Sequence, residues 1–314
     1  MKNKSIISGL IALIIILTFV ACPEEEEPDS HHNYFIYADF IYVYNDTGIT
    51  IIEYTGPGGD VTIPSTIDGK LVTAISSYDD NYGYHKAFAY SQLTSVNIPD
   101  SVTTIGYDAF SSNQLSSITI PNSVTTIGDN AFSSNQLSSI TIPDSVTTIG
   151  GSAFSNNQLT FVNIGNSVTA IGDDTFSNNR LSFVNIPDSV TTIGRSAFAD
   201  NQLTNVNIGN SVTEIGSYAF YNNQLTFVNI PDSVTVIGYD AFSSNQLTSV
   251  TIGNSVTEIG NYAFYNNQLT SVTIGANVKL SNIAFPDKFY SYYNGKAGTY
   301  IRPNIYSKTW IKVN

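Results

Sequence analysis

Apolar residues recur along most of this chain with a period of 22 residues. Phenylalanine marks the period in nine units spaced 22 residues apart, and a tenth phenylalanine follows after 21 residues: Phe88, Phe110, Phe132, Phe154, Phe176, Phe198, Phe220, Phe242, Phe264 and then Phe285. A spacing this constant predicts a solenoid in which each unit stacks on the next.

A single unit has too few apolar residues to fold alone. In the unit that starts at Leu115 they occupy seven positions: Leu115, Ile118, Ile120, Val124, Ile127, Ala131 and Phe132. Neither a helical nor a strand period runs through the whole unit, and Pro121 and Gly128 divide it into three short sides. Ordering 22 residues costs on the order of 30 kcal/mol, which these side chains at about 2–3 kcal/mol each do not offset in isolation. The apolar residues must therefore be buried between neighbouring units.

Each unit also has a fixed order of motifs: Leu-x-x-Ile-x-Ile, then Ile-Pro-x-Ser-Val-Thr-x-Ile-Gly, then Ala-Phe. This order resembles the BspA-like class of bacterial leucine-rich repeats, over eight or nine copies in residues 88–285. The resemblance implies a mainly β solenoid of 22-residue coils with one parallel concave sheet, capped at both ends. The family includes adhesins and surface antigens, which implies a binding or structural surface protein and no enzymatic activity.

The segments before and after the repeats differ from them. Residues 34–87 contain a degenerate half-repeat from Val61 to Ile75, and we interpret them as an N-terminal cap over the exposed core. Residues 286–314 are rich in tyrosine and basic residues. We interpret this segment as a C-terminal cap, since similar aromatic tails close other proteins of the family; a separate ligand-binding module is the alternative.

The N-terminus has the pattern of an export signal. Lys2 and Lys4 precede an apolar run to Ala21, which predicts a signal peptide over residues 1–21, with a transmembrane anchor as the alternative. The sequence Phe19-Val20-Ala21-Cys22 resembles a lipobox, although Phe19 stands where leucine is usual. The resemblance implies that Cys22 is acylated and holds an exported chain on the bacterial membrane. The acidic run after Cys22 resembles export signals that send some lipoproteins to the outer face of the outer membrane, with a plain spacer as the alternative. Residues 22–33 are acidic and predict a solvated tether.

Charge excludes one class of partner. The formal net charge is −13, and phosphate backbones need a basic surface, so nucleic acid is excluded as a partner. The negative charge lies before residue 276, whereas residues 276–314 carry six basic residues and one acidic residue. This asymmetry favours weak head-to-tail contact between copies.

Few residues offer chemistry for catalysis or metal binding. Cys22 is the only cysteine, and His85 is the only histidine outside the tether region. The chain therefore has too few histidines and cysteines for a Ser–His site or a metal site of the usual type. We expect no catalytic residues, metal or cofactor. The acidic pairs Asp79–Asp80 and Asp173–Asp174 have the pattern of solvated turns.

Two polar series follow the repeat. One asparagine per unit is expected to hydrogen-bond the backbone of the turn as a structural ladder: Asn113, Asn135, Asn157, Asn179, Asn201, Asn223, Asn245 and Asn267. After the strand, Asp and Asn alternate with a period of 44 residues: Asp100, Asn122, Asp144, Asn166, Asp188, Asn210, Asp232 and Asn254. The alternation either dilutes charge between adjacent coils or provides calcium ligands.

The outward positions of the Leu-x-x-Ile-x-Ile strand carry the candidate binding site. Its third position is mostly Ser but is Phe161, Phe183 and Phe227 in the middle units. Asn163, Asn185 and Asn229 follow two residues later. These six residues predict a contact for a protein or glycan partner. The alternative is an aromatic ladder, in which the rings of Phe161 and Phe183 lie about 4.8 Å apart and stabilise the sheet. The rival function is a structural or antigenic repeat without a dedicated site.

Overall fold

A computed structural model describes residues 34–80, 83–281, 283–286 and 289–313, within one compact unit that spans Tyr34–Asn314. The predicted signal peptide, the lipidation residue Cys22 and the acidic tether lie outside the described residues. In the part that is described, no helix is long and apolar enough to cross a bilayer.

The N-terminal cap is a twisted assembly of short strands. Its strands are β1 (Phe35–Tyr37), β2 (Phe40–Asn45), β3 (Gly48–Tyr54), β4 (Gly59–Thr62), β5 (Thr66–Ile67), β6 (Lys70–Ile75), β7 (Tyr78–Asp80) and β8 (Gly83–His85). Strands β1, β2 and β3 pair antiparallel, and β3 then pairs parallel with β6. The degenerate half-repeat therefore supplies strands that join the cap to the repeats, since β4 pairs with β9 and β6 with β10.

The repeats form two stacks of parallel strands. The Leu-x-x-Ile-x-Ile stack contains β9 (Leu93–Asn97), β12 (Ser139–Thr141), β14 (Phe161–Asn163), β16 (Phe183–Asn185), β18 (Asn205–Asn207), β20 (Phe227–Ile230), β22 (Ser249–Ile252) and β24 (Ser271–Ile274). The Thr-Ile stack contains β10 (Thr104–Ile105), β11 (Thr126–Ile127), β13 (Thr148–Ile149), β15 (Ala170–Ile171), β17 (Thr192–Ile193), β19 (Glu214–Ile215), β21 (Val236–Ile237), β23 (Glu258–Ile259) and β25 (Lys279–Leu280).

These stacks confirm the predicted mainly β solenoid of 22-residue coils and add a feature that the sequence analysis did not anticipate. The two-residue Thr-Ile strands belong to one 14-stranded sheet, which also includes β1, β2, β3, β5 and β6 of the N-terminal cap. The Leu-x-x-Ile-x-Ile strands instead divide into shorter sheets, β4–β9, β12–β14, β16–β18 and a five-stranded sheet that begins at β20. The single parallel sheet that was expected is thus accompanied by a second and more continuous one.

The core is a column of stacked phenylalanine rings. From Phe88 to Phe264 the rings of successive coils have centroids 5.1–5.6 Å apart, and all nine side chains are fully buried. Offset stacking of this kind adds to the stabilisation from burial of apolar area. Leu, Ile and Val side chains from both strand stacks fill the space around the column.

A ladder of buried asparagines runs beside this column. Asn201 is representative: its side-chain Oδ1 accepts from the backbone N–H of Leu181 at 3.0 Å, and its Nδ2 donates to the carbonyl of Phe176 at 2.9 Å. The same Nδ2 also lies 3.2 Å from the carbonyl of Phe198. Each asparagine therefore satisfies backbone groups of two coils that would otherwise be buried without partners.

The third side of each coil is a turn with two residues in the left-handed region. In the first full coil these are Asp108 (φ 52°) and Ser112 (φ 54°). Their N–H groups donate to the carbonyls of Asp129 and Ser133 in the next coil, at 3.0 and 2.9 Å. Most equivalent positions hold Asp, Asn or Ser, and short polar residues such as Asp and Asn tolerate this conformation best.

The aromatic tail closes the C-terminal end. It contains helix α1 (Phe289–Tyr293), β26 (Gly298–Ile301) and β27 (Ile311–Lys312), and β26 pairs antiparallel with β24. Phe289 continues the phenylalanine column with its centroid 4.7 Å from Phe285, and Trp310 packs edge-on against Phe289 at 5.0 Å. These buried rings cover the last coil.

Candidate binding surface

The outward side of the Leu-x-x-Ile-x-Ile strands, here called the Phe face, carries three phenylalanines at β14, β16 and β20. Side chains alternate along each strand, so Val162, Val184 and Val228 point into the core and their neighbours point out. Phe161 is 55%, Phe183 42% and Phe227 46% exposed, whereas the column phenylalanines are fully buried. The three rings thus expose apolar surface to solvent.

The neighbours of these rings are small or polar. Within the sheets, Phe161 lies opposite Ser139, Phe183 opposite Asn205 and Phe227 opposite Ser249. The sheet is interrupted between β14 and β16, which is the step between Phe161 and Phe183. In the described ranges, neither ring packs against another aromatic ring, so the expected 4.8 Å spacing was wrong. The two coils stay hydrogen-bonded next to this step, since the N–H of Arg180 donates to the Leu159 carbonyl at 2.9 Å, so the difference lies in the side-chain directions and not in the spacing of the coils.

An amide row runs beside the rings. Asn163, Asn185, Asn207 and Asn229 occupy the fifth strand position in four successive coils, and all four are exposed. Asn207 Nδ2 lies 3.4 Å from Asn185 Oδ1, so these two amides interact only weakly. Most of their hydrogen-bonding capacity faces solvent and is open to a ligand.

A shallow pocket of about 430 Å³ adjoins this row where the strands end. Its polar lining includes Asn185, Asp188, Asn207 and Asn210. A similar pocket of about 310 Å³ occurs at the first coils, beside Asn97 and Asp100. The amides Asn185 and Asn207 of the Phe face therefore border a polar pocket at the coil corner.

The alternating Asp and Asn residues at this corner bind each other. Asp188 Oδ1 accepts from the backbone N–H of Asn210 at 2.7 Å, and the pairs Asp144–Asn166 and Asp232–Asn254 have the same bond at 2.7 and 2.8 Å. Among the described residues, no group of three or more His, Cys, Asp or Glu side chains could hold a metal ion. The amides of alternate coils thus hold the carboxylates of the coils before them.

Glycine makes this corner possible, a signal that the sequence analysis did not use. Gly209 stands where the preceding coil has Pro187, and a Cβ at Gly209 would lie 2.5 Å from the Pro187 carbonyl oxygen. Gly165 and Gly253 repeat the arrangement against Pro143 and Pro231. Only glycine lets the chain approach closely enough for the Asn N–H to reach the carboxylate.

The histidine and the acidic pairs that the sequence offered as catalytic candidates lie in strands and turns of the scaffold. His85 Nδ1 lies 2.6 Å from Glu53 Oε2, and the Tyr34 ring packs edge-on against the imidazole, which ties β8 to β3. Asp79 and Asp80 lie in β7 and not in a turn, because β7 pairs with β8 as a hairpin. Burial and the neighbouring Asp173 raise the pKa of Asp174, which lies in a turn with φ 54°.

Comparison with known proteins identifies the repeat. The family model described as the BspA-type leucine-rich repeat region matches residues 84–203 and 169–291, with six copies. A leucine-rich repeat protein from Bacteroides ovatus is similar in structure, with 25% identity and a TM-score of 0.55 over 80% of this chain and 77% of that one. The pneumococcal vaccine antigen PcpA is 22% identical with a TM-score of 0.52, over 78% of this chain and 82% of PcpA. No curated protein sequence matches the chain.

Proposed function

Since this chain belongs to the BspA-type leucine-rich-repeat family, we propose that it is a non-enzymatic surface protein that binds a partner through its Phe face. The observation that carries the proposal is the exposure of Phe161, Phe183 and Phe227 on an otherwise hydroxyl- and amide-rich face. Aromatic residues are enriched among the few side chains that supply most of the binding energy at protein interfaces.

The rings are dispensable for the coil, which supports a role in binding. Ser139, Ser249 and Ser271 occupy the same strand position in coils that form the same parallel pairs. A rigid ring supplies apolar contact area at a small entropic cost, and the adjacent amides fix the orientation of a ligand. Protein surfaces and glycans both offer the apolar patches and hydroxyl or amide groups that such a face recognises.

The proposed location is the outer surface of the bacterial membrane, with Cys22 as the lipid anchor. The lipobox-like segment and the acidic tether after it are the observations behind this proposal. A lipid on Cys22 would hold the chain at the membrane while the tether separates the solenoid from the headgroups. A structural or antigenic repeat without a dedicated site is the rival function, favoured by the regularity of the coils.

The test compares two triple variants of the full chain as bait for intact cells and for a glycan array. The first is Phe161→Ser, Phe183→Ser and Phe227→Ser, which copies the serine of other coils. The second, a control, is Tyr107→Ser, Tyr290→Ser and Tyr306→Ser, which removes exposed aromatics away from the Phe face. Loss of partner capture by the first variant alone is expected. Equal capture by both variants and the unmodified chain would overturn the proposal and favour the rival function.

A further inference from the structure

Five tyrosines form a continuous surface cluster on the turn side of the last coils, here called the tyrosine ridge: Tyr218, Tyr221, Tyr239, Tyr262 and Tyr265. The Tyr239 ring packs edge-on between Tyr218 and Tyr262, with centroids 5.2 and 5.7 Å away. Tyr221 packs against Tyr218 at 5.7 Å, and Tyr265 against Tyr262 at 5.4 Å. The ridge thus crosses three coils along the solenoid, on a different side of the coil from the Phe face.

The fold does not require these rings. Ser133, Ser155 and Ser243 occupy the position of Tyr221 and Tyr265 in other coils, and Ser152 and Ser196 occupy the position of Tyr218 and Tyr262. Tyr218 and Tyr262 also have left-handed backbones, with φ of 60° and 58°. A bulky aromatic residue is disfavoured in this conformation, and such strain is concentrated at functional positions.

Basic side chains lie over tyrosine rings at three places among the described residues, one on the ridge and two near the N-terminal cap. The guanidinium of Arg195 lies 5.7 Å from the centroid of Tyr218, at the N-terminal end of the ridge. Lys86 and Lys70 lie over Tyr90 and Tyr44 at 5.4 and 4.7 Å. Tyr239 and Tyr265 are 37% and 53% exposed, and no cation of the described residues covers either ring.

The charge around the ridge is negative on balance. A pocket of about 190 Å³ at its N-terminal end is lined by Asp174 and Asp200 as well as by Arg195, Tyr218 and Tyr221. Asp240 follows Tyr239 along the chain and is buried. Desolvation, the Tyr218 hydroxyl and the charge of Asp240 raise the pKa of Tyr239 to about 12. The carboxylates of Asp174 and Asp200 favour a cationic partner over an anionic one.

We infer that the tyrosine ridge is a second interaction surface, which takes an arginine-rich segment of a protein partner. Guanidinium groups of the segment stack on the exposed rings of Tyr239 and Tyr265, and the carboxylates of Asp174 and Asp200 attract it. The mixture of Tyr with Ser217, Asn222, Asn261 and Asn266 is also the composition that protein-binding surfaces use. This inference is independent of the Phe face.

The test uses a fluorescent peptide of alternating arginine and glycine with the purified full chain, measured by fluorescence anisotropy. The double variant Tyr239→Ser and Tyr265→Ser should weaken binding about tenfold, while the control double variant Tyr290→Ser and Tyr306→Ser leaves it unchanged. Raising the salt concentration about tenfold should also weaken binding, since the carboxylates contribute to it.

Three outcomes would overturn the inference. Equal binding of the arginine peptide to the unmodified chain and the ridge variant would show that only the overall negative charge attracts it. A neutral chitin oligosaccharide that binds the unmodified chain and not the ridge variant, while the arginine peptide binds neither, would assign the ridge to glycans. Self-association in sedimentation that the ridge variant alone abolishes would assign it to a second copy of this chain.

Discussion

The ring of Phe198 stacks on the ring of Phe220 with centroids 5.5 Å apart and planes within 6° of parallel. Phe198 makes the same contact with Phe176 on its other side and is fully buried. Phe198→Ala therefore leaves a cavity between two coils, and we expect it to lower the free energy of unfolding by about 3–5 kcal/mol. Urea denaturation measures this loss. A loss below about 1 kcal/mol would contradict the stacked column.

The buried asparagine ladder predicts that removal of one side-chain amide greatly lowers the free energy of unfolding. Asn201→Ala removes the acceptor of the Leu181 N–H and the donor to the Phe176 carbonyl in a buried site. We expect a loss on the order of 3 kcal/mol, because buried backbone groups are left without partners. Asn207→Ala is the matched control, since the Asn207 side chain is exposed and lies only within a weak 3.4 Å contact of Asn185. Equal losses in the two variants, measured in urea, would argue against a stabilising ladder.

We expect the three exposed phenylalanines of the Phe face to contribute little to the free energy of unfolding. In Phe161→Ser, Phe183→Ser and Phe227→Ser together, the buried neighbours Val162, Val184 and Val228 keep their places. The free energy of unfolding should fall by less than about 1.5 kcal/mol in total, as is usual for surface substitutions. Thermal and urea denaturation check this value. A fall of more than about 4 kcal/mol would show that the rings stabilise the sheet.

The N-terminal cap predicts a loss of stability at alkaline pH. The buried Tyr42 hydroxyl donates to Asp68 Oδ2 at 2.6 Å, and burial followed by this carboxylate raises the pKa of Tyr42 above its usual 10.0. The protonated phenol is favoured in the folded state. Its contribution is therefore fully present below pH 10 and is lost as the pH rises from there towards the folded pKa.

Tyr42→Phe tests this dependence. Unfolding in urea at several pH values above 8 should give a shallower decline for Tyr42→Phe than for the unmodified chain, because the variant has one fewer phenol to ionise. Tyr306→Phe is the control, since Tyr306 is 87% exposed. Parallel declines for the unmodified chain and Tyr42→Phe would contradict the role of Tyr42.

If Cys22 carries the lipid anchor, Cys22→Ala should move the protein from the membrane fraction to the soluble fraction. Without the thiol no acyl chain is attached, so we expect the variant to leave the membrane fraction and to lose labelling by a radioactive fatty acid. Cell fractionation with immunoblotting measures the distribution. If the unmodified chain already partitions with the soluble proteins, the anchor does not exist.

Much of the fold followed from positions that every unit shares. The 22-residue spacing of Phe198 and its equivalents predicted both the stack and the burial of the rings, because one unit alone buries too little apolar surface. The two-residue strands, such as Thr192–Ile193, were missed because a dipeptide has no detectable periodicity. Their pairing depends on the register between coils, which the spacing alone does not define.

The candidate surfaces depended on positions that differ between units, and these were harder to interpret. Phe161 was identified because an aromatic residue replaced serine in a strand whose outward positions were known. Tyr218 and Tyr239 lie in turns, where the sequence does not show which side chains meet. Their contact depends on the left-handed backbone of Tyr218, which a single sequence does not predict.

The corner that pairs Asp188 with Asn210 limits how the number of coils can change during the evolution of this gene. Tandem duplication or loss of 44 residues preserves each Asp–Asn bond and each glycine that faces a proline carbonyl. Loss of the single coil that contains Gly165 and Asn166 would instead set Asp144 against Asp188, carboxylate beside carboxylate, with no glycine between their prolines. Strain-to-strain variation in the length of this gene should therefore favour gains and losses of two coils at a time.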